Sequence, residues 1–297
     1  HTGIHSFPTR RSSDLVIAYE DRNPVWLCGG VEADSPEGRV IRWSQPEIAL
    51  YDDDPYIRMS YPDLVEEDGR YYLTETQKDI ARVHEIDRSL LEGLWSQGER
   101  REATTDGLVL ALPASGQAMP REAALPELPP FTQRDSTRAD YGSRDLRQGF
   151  SVELWLRLAA LDAGQTLVDN RADSGQGFAL QTTARGAVEI ILNDGRCESR
   201  WASDAGLLRA GELHHLVAVV DGGPKIILWV VDGALCDGGD QRQFGWGRYN
   251  PNLRGVSGAP KLRISPDMQG EIIGLRLYRR ALRVSEAIAN RQAGLGA

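Results

Sequence analysis

The side chains most suited to catalysis lie in one acidic stretch, YDDDPYIRMSYPD, at residues 51–63. Asp54, together with Asp52 and Asp53, is a candidate base or cation ligand. Arg58 offers a planar fork that grips a carboxylate with two hydrogen bonds, and Tyr61 offers a phenol that an acid could activate as a nucleophile. The alternative is an acidic surface turn in which Arg58 balances the charge and Tyr61 packs against the neighbouring strands.

A second group of residues is suited to binding sugars, because sugar C–H faces stack on aromatic rings while the hydroxyls find polar groups. The glycine-flanked stretch QFGWGRYNPNLRG and one further loop supply the candidates: Trp246, Tyr249, Arg248, Asn250 and Trp201. The alternative is that Phe244 and Trp246 close one end of the fold. Trp155 and Trp229 lie within apolar strands and are predicted to be core residues.

A calcium site is the one cofactor hypothesis that the residues suggest, and no cofactor is required. Asp169, Asn170 and Asp173 in VDNRADSGQG bring hard oxygen ligands together in one loop. The alternative is turn chemistry, in which Asp and Asn side chains bind their own backbone. Three cysteines are too few and too scattered for a disulfide framework or a zinc site.

Two other polar positions are interpreted as structural. Glu75 in YLTETQK lies in the middle of a strand and could point into a channel, but we favour a solvated position beside Lys78. His214 and His215 are adjacent, so in a strand they point to opposite faces and cannot bind one metal together. We expect one of them to be half-buried and the other exposed.

Composition excludes several classes of function. The formal net charge of −9 argues against a nucleic-acid partner, because phosphate binding requires a basic surface. No run of about 18 apolar residues occurs, which argues against membrane insertion. Glu-x-Asp-x-Glu, His-Glu-x-x-His and the nucleotide-binding glycine motifs are all absent, so the sequence supports none of those chemistries.

The elements that must position these residues are short strands. GFSVELWLRL at residues 149–158 alternates apolar and polar side chains, as a half-buried strand does. Asp68-Gly69 and Asp221-Gly222-Gly223-Pro224 predict hairpins. RSLLEGLW at residues 88–95 predicts one helical turn, and VSEAIANRQ at 284–292 predicts a short helix with Ser285 as N-cap. The pattern predicts an all-β protein built as an antiparallel two-sheet sandwich.

Two segments resemble known families. The strand with Phe150 and Trp155, the His-His strand and the closing GEIIGLRLYRRAL resemble the laminin-G-like, concanavalin A-like jelly rolls, from about residue 106 to 292. SYPDLVEEDGRYYLTET resembles the closing blades of a sialidase-like β-propeller, from about 16 to 95. The stretch SFPTRRSSDL resembles a translated sequencing adapter. The predicted domains are a non-native leader (1–15), an incomplete propeller remnant (16–95), a linker (96–105) and a jelly roll (106–297).

These resemblances imply a non-catalytic carbohydrate-binding or accessory domain at the end of a sialidase-like exo-glycoside hydrolase. The expected partners are a glycan or polysaccharide and the missing N-terminal propeller blades, and the fragment itself is expected to be inactive. Resemblance implies an extracellular or periplasmic location, although this stretch contains no export signal. Two alternatives stay open. The chain could contribute active-site residues of a glycosidase, or it could be a structural or protein-docking module that binds no sugar.

Overall fold

A computed structural model of the chain describes residues 2–4, 22–54, 56–77, 79–134, 137 and 143–295. These residues form two compact units, each with its own hydrophobic core. Unit 1 contains the described residues up to Ala103 together with Arg283–Ala293, and unit 2 contains the described residues of Thr104–Leu282 and those that follow Ala293. Residues 1 and 5–15 of the predicted leader, and residues 16–21 of the predicted propeller remnant, lie outside the described residues.

Unit 2 is built from two large antiparallel sheets. Its strands, numbered along the whole chain, are β8 Leu108–Leu112, β9 Glu122–Ala124, β10 Thr132–Arg134, β11 Ser143–Asp145, β12 Phe150–Leu158, β13 Thr166–Asp169, β14 Gly177–Thr182, β15 Val188–Asn193, β16 Glu198–Ala202, β17 Leu213–Asp221, β18 Ile226–Val231, β19 Ala234–Leu235, β20 Gly247–Arg248, β21 Lys261–Asp267 and β22 Gly270–Tyr278. The first sheet runs in the order β19-β18-β17-β12-β22-β8, with β20 also pairing β18, and the second in the order β16-β15-β14-β13-β21-β9. A separate pair, β10-β11, completes the unit.

One core lies between these two sheets. Alternate residues of β12, from Phe150 to Leu158, are buried in it. Phe150 meets Phe178 of the other sheet with ring centroids 5.3 Å apart. Trp229 is fully buried in the same core, as predicted. The predicted all-β, two-sheet jelly-roll fold is therefore confirmed.

The hairpin between β17 and β18 shows how a local signal sets the register of the first sheet. Asp221 pairs with Ile226, so the predicted Asp-Gly-Gly-Pro turn closes where the sequence placed it. The Asp221 carboxylate accepts the backbone N–H of Gly223 at 3.0 Å. A Cβ at Gly222 would lie 1.6 Å from the backbone oxygen of Gln148, so only glycine allows the two chain segments to come this close.

Unit 1 contains two smaller antiparallel sheets. Strands β1 Thr2–Ile4, β2 Val25–Ser35, β3 Gly38–Trp43 and β4 Glu47–Leu50 form one, and β5 Ser60–Glu67, β6 Arg70–Thr76 and β7 Ala81–Ile86 form the other. Strand β1, in the segment predicted to be leader, pairs with β2. Asp68 and Gly69 both have positive φ in the β5–β6 turn, as a tight hairpin requires.

Helix α1 (Arg88–Ser96) is longer than the single turn predicted. It begins after Asp87, whose side chain accepts the backbone N–H of Ser89 at 2.9 Å as an N-cap. Leu91 and Leu94 of this helix are buried in the core of unit 1. The apolar residues thus define one face that packs, while the cap defines where the helix starts.

Helix α2 (Val284–Ala293) groups with unit 1, although the sequence placed it in the jelly-roll segment. Ser285 is not the N-cap, because it already lies inside the helix. Instead, the buried Glu47 carboxylate accepts the backbone N–H groups of Val284 at 2.9 Å and Ser285 at 2.6 Å. Neither helix in the described part of the chain has the length and hydropathy needed to cross a membrane.

Candidate functional site

A cleft of about 380 Å³ lies on unit 2, between loops that leave the two large sheets. One wall is the turn 183–187 between β14 and β15, and the other is the loop 238–242 that follows β19. The floor is formed by residues 202–205 at and beyond the end of β16. Alanine and glycine make up much of this lining, so the space comes from small side chains.

A buried carboxylate organises the floor of the cleft. Asp204 accepts the backbone N–H groups of Asp237 at 2.9 Å and Gly238 at 3.0 Å, and it accepts a hydrogen bond from Arg242 Nη2 at 2.6 Å. Its own backbone N–H donates to Cys236 Sγ, and burial raises the pKa of that thiol to about 12. Every group of this floor is therefore fixed before any ligand binds.

Arg242 joins this floor to the predicted sugar-binding residue Trp201. Its guanidinium lies 4.5 Å from the Trp201 ring centroid, and Nη1 donates to the Ala202 carbonyl at 2.9 Å. The indole N–H of Trp201 donates to the Gly245 carbonyl at 2.7 Å. A Cβ at Gly247 would fall 2.2 Å from the Trp201 ring, so glycine is required there. Trp201 is thus held in place by contacts on its ring and its nitrogen.

A pair of side chains connects the two walls. Arg185 Nη1, on the turn 183–187, donates to Gln241 Oε1, on the loop 238–242, at 2.5 Å. Both residues are exposed, whereas Ser203 and Asp204 in the floor are buried. The bridge therefore lies on the solvent side of the floor.

The remaining predicted aromatic residues separate into an open group and a buried one. Trp246 is half-buried and stacks on Phe244 with ring centroids 5.0 Å apart, and the Arg248 guanidinium lies 5.7 Å from the Trp246 ring. The prediction that Tyr249 contacts sugar is wrong, because only 2% of this residue is exposed and it belongs to the core. Burial raises the pKa of its phenol well above the ordinary value. Asn250 is half-buried, and its side chain accepts the backbone N–H of Asn252.

Two of the three predicted calcium ligands, Asp169 and Asn170, have protein partners. Asp169 forms ion pairs with Arg171 at 2.9 Å and Arg263 at 2.8 Å. Asn170 is fully buried, and it accepts the backbone N–H of Phe178 at 2.6 Å while its amide donates to the Val256 carbonyl. Within the described ranges, no group of three or more His, Cys, Asp or Glu side chains is arranged to hold a metal. The turn interpretation accounts for Asp169 and Asn170, and Asp173 is exposed.

In the acidic stretch of unit 1, the three predicted catalytic residues are all exposed. Asp54 is exposed and accepts the backbone N–H of Tyr56 at 2.9 Å, which is a turn contact. Arg58 is exposed. Tyr61 is 83% exposed with a φ of 52°, and its hydroxyl has no hydrogen-bond partner in the part of the chain that the structure describes. The geometry gives Tyr61 none of the acid contact that a nucleophile requires.

Glu75 is fully buried, so the interpretation as a solvated strand residue is wrong. Its register partner on β7 is Arg82, whose Nε lies 3.6 Å from Glu75 Oε1. His84 Nε2 lies at the same distance. Neither Glu75 oxygen accepts a hydrogen bond from any residue that the structure describes. Glu75 and Leu73 are two residues apart on β6, so the alternation of the strand places both on the same face, which is the buried one.

The two adjacent histidines are also more buried than predicted. His214 is 4% exposed and His215 is 3% exposed. His214 Nε2 accepts the backbone N–H of Arg209, so its Nδ1 carries the proton that is donated to Asp232 at 2.6 Å. His215 Nε2 lies 2.8 Å from Glu153. The two side chains have different partners, as expected for adjacent residues of a strand.

Asp204, Arg242, Arg185 and Gln241 were not predicted from the sequence. They come from three separate stretches of the chain, and no local spacing links them. The one available signal was Gly238-Gly239, a flexible pair followed by the polar stretch DQRQ. Gly238 has a φ of 98°, and a Cβ there would lie 2.4 Å from the Arg242 backbone oxygen.

Comparison with known proteins places unit 2 among the jelly rolls. The Laminin_G_3 model, described as the concanavalin A-like lectin/glucanases superfamily, matches residues 133–287. No curated protein matches the chain in sequence.

Several solved structures are similar to the chain at low identity. The Ruminococcus gnavus IT-sialidase CBM40 bound to α2,3-sialyllactose is 16% identical, over 62% of this chain and 98% of that one, with a TM-score of 0.40. The leech intramolecular trans-sialidase is 15% identical over 64% and 29% of the two chains, with a TM-score of 0.41. Trypanosoma rangeli sialidase is 12% identical over 88% and 52%, with a TM-score of 0.38.

The family model covers just over half of the chain, and the two-sheet fold of unit 2 agrees with it. The chain belongs to the Laminin_G_3 family of the concanavalin A-like lectin/glucanases superfamily.

Proposed function

We propose that unit 2 is a carbohydrate-binding module and that a sugar occupies the cleft between the turn 183–187 and the loop 238–242. The observation that carries this proposal is the cleft itself, in which a prearranged carboxylate and guanidinium lie beside an indole ring. Concave sites with a few fixed polar groups are the usual form of small-ligand sites. Membership of a superfamily named for lectins and glucanases supports the same class of ligand.

The chemistry of the lining suits a ligand rich in hydroxyl groups, since each hydroxyl can both donate and accept a hydrogen bond. Arg185 offers donors, Asp240 offers acceptors, and Ser203 and Gln241 offer both. Because Asp204 and Arg242 neutralise each other, the floor presents fixed dipoles without an unpaired charge. Little ordering of the floor is then required on binding.

The half-buried rings of Trp246 and Phe244 extend this proposal to a second contact surface. Arg248 lies beside the Trp246 ring and donates to the Pro224 carbonyl at 2.8 Å, which holds the guanidinium in place. A longer glycan would rest on this surface. Removal of the Trp246 ring should then weaken binding of long glycans more than binding of short ones.

We further propose that the module accompanies a sialidase-like exo-glycoside hydrolase outside the cytoplasm, where it holds substrate near the enzyme and raises its effective concentration. The likeness of residues 60–76 to such enzymes supports this. The chain alone should be inactive on chromogenic sugars, and Arg58→Ala should leave that background unchanged. A calcium role for Asp173 predicts a change in thermal stability when a chelator is added.

Glycan-array binding of the full chain, over neutral and acidic glycans including sialyllactose, tests the proposed function. Ala184 is exposed and lines the cleft, so Ala184→Trp fills the cleft without removing any partner. Ala124→Trp, at an exposed position on β9, is the matched control. We expect binding that Ala184→Trp abolishes and Ala124→Trp preserves. A flat response to every glycan would contradict the proposal.

A further inference from the structure

We propose that Arg185 and Gln241 form a latch across the cleft and that this latch selects the ends of glycan chains over their internal segments. This inference rests on the proposed function. It adds that a chain running straight through the site must first break the bridge, whereas a terminal sugar can enter beneath it.

The position of the bridge supports the latch. Arg185 and Gln241 stand on opposite walls and are the residues whose side chains meet, at 2.5 Å. Both are exposed, while the floor beneath them contains the buried Asp204. A ligand that reaches this floor therefore lies under the bridge.

The two walls are rigid, so the side chains themselves are the parts that can move. In the turn, the backbone N–H of Gly186 donates to Thr183 O at 3.1 Å, and Thr183 N donates to Ala187 O at 2.8 Å. In the loop, Arg242 N donates to Gly238 O at 3.1 Å, and Gly238 N is held by Asp204. These contacts fix the backbone of each wall and join the loop to the floor.

The latch is weak enough to open. Arg185 forms no ion pair with any carboxylate that the structure describes, and its guanidinium is held across the cleft by one hydrogen bond to a neutral amide. A single exposed hydrogen bond of this kind shifts an equilibrium by about two- to tenfold. Selection for chain ends should therefore be of that size.

The test compares hexasaccharides with soluble polymers of the same linkage, by titration calorimetry on the full chain. The probes are xylohexaose with xylan, maltohexaose with amylose, and hexagalacturonate with polygalacturonate. We expect the wild type to bind a hexasaccharide about two- to tenfold more tightly than an internal segment of the polymer, per binding site. Arg185→Ala should raise the apparent affinity for polymer about two- to tenfold and leave the hexasaccharide affinity within twofold.

Two further variants separate the latch from a general effect of losing a side chain. Gln241→Ala should reproduce the result for Arg185→Ala, and the double variant should add nothing more. Arg157→Ala, which removes an exposed arginine paired with Glu271 outside the cleft, should have no effect.

The outcomes distinguish the two proposals. If the variants leave the ratio of polymer to hexasaccharide affinity unchanged, the latch is overturned while carbohydrate binding stands. If the wild type binds neither probe in any series, the proposed function fails and the latch fails with it.

Discussion

Replacement of Arg242 by methionine should destabilise the chain and disorganise the cleft. Arg242 Nη2 lies 2.6 Å from Asp204 Oδ1, and the two side chains are 24% and 8% exposed. Arg242 also donates to the Ala202 carbonyl and stacks on Trp201. Methionine preserves the aliphatic length but leaves the Asp204 carboxylate buried without its cation.

The magnitude follows from what Asp204 retains. Breaking a buried pair on one side costs about 3–5 kcal/mol, because the remaining charge is uncompensated. Asp204 keeps the backbone N–H groups of Asp237 and Gly238, so we expect the low end, about 3 kcal/mol for Arg242→Met. Asp204→Asn removes the charge but keeps an acceptor, and should cost about 1–2 kcal/mol.

Urea unfolding of the two single variants and the double variant measures this pair directly. The double variant should be more stable than the sum of the single losses predicts, by about 2 kcal/mol, since no uncompensated charge is left. Arg157→Met, at an exposed pair with Glu271, should cost no more than about 1 kcal/mol. Strictly additive losses for Arg242 and Asp204 would refute the reasoning.

Three further predictions concern other buried carboxylates. Burial alone would raise the pKa of Asp194, but backbone N–H groups lower it to about 2. The Asp194 carboxylate should thus stabilise the folded chain above the unfolded-state pKa near 4, and this stabilisation should be lost as pH falls towards 2. Asp194→Asn should therefore lower the free energy of unfolding by about 2 kcal/mol at pH 7 and hardly at all at pH 2, as measured by urea unfolding at each pH. Burial raises the pKa of Glu47, so its contribution to stability should fall as pH rises from the unfolded-state pKa through the folded-state pKa. Glu47→Gln should remove that slope, read from thermal unfolding at a series of pH values. Arg82→Met should cost about 2–3 kcal/mol in urea unfolding, because it leaves Glu75 buried without its arginine and also removes the Arg82 hydrogen bond to Asp52 at 2.8 Å. Glu75→Gln should cost less than about 1 kcal/mol, and equal losses would argue against the ion pair with Glu75.

The strands of unit 2 were predictable because their signals are local. Alternation from Phe150 to Leu158 specifies which side chains share a face, and the turn after Asp221 specifies the pairing of two strands. Such signals need only a few neighbouring residues.

What covers a face is not a local property, and there the predictions were wrong. The alternation of β6 places Glu75 beside Leu73, but it does not say that this face is buried around Glu75. In the same way, Tyr249 lies in a polar, glycine-rich stretch and yet packs into the core, with its ring centroid 5.3 Å from that of Phe131. The polar composition around Tyr249 indicated a loop, but it carried no information on the core residues against which Tyr249 packs.

The cleft required pairings across long stretches of sequence. Asp204 meets Arg242, 38 residues later, and Arg185 meets Gln241, 56 residues later. Polar residues in loops carry no periodic pattern, so nothing in the sequence marks which of them converge. Trp201 could be predicted to lie near the site because few aromatic residues occur in loops. Its partner Arg242 was not predicted.

The most direct test of carbohydrate binding at this cleft is a crystal structure of the full chain with a hexasaccharide that it binds. We predict sugar density between the turn 183–187 and the loop 238–242, within hydrogen-bond distance of Arg185 or Gln241. Sugar bound elsewhere on the chain, with the cleft unoccupied, would contradict the account.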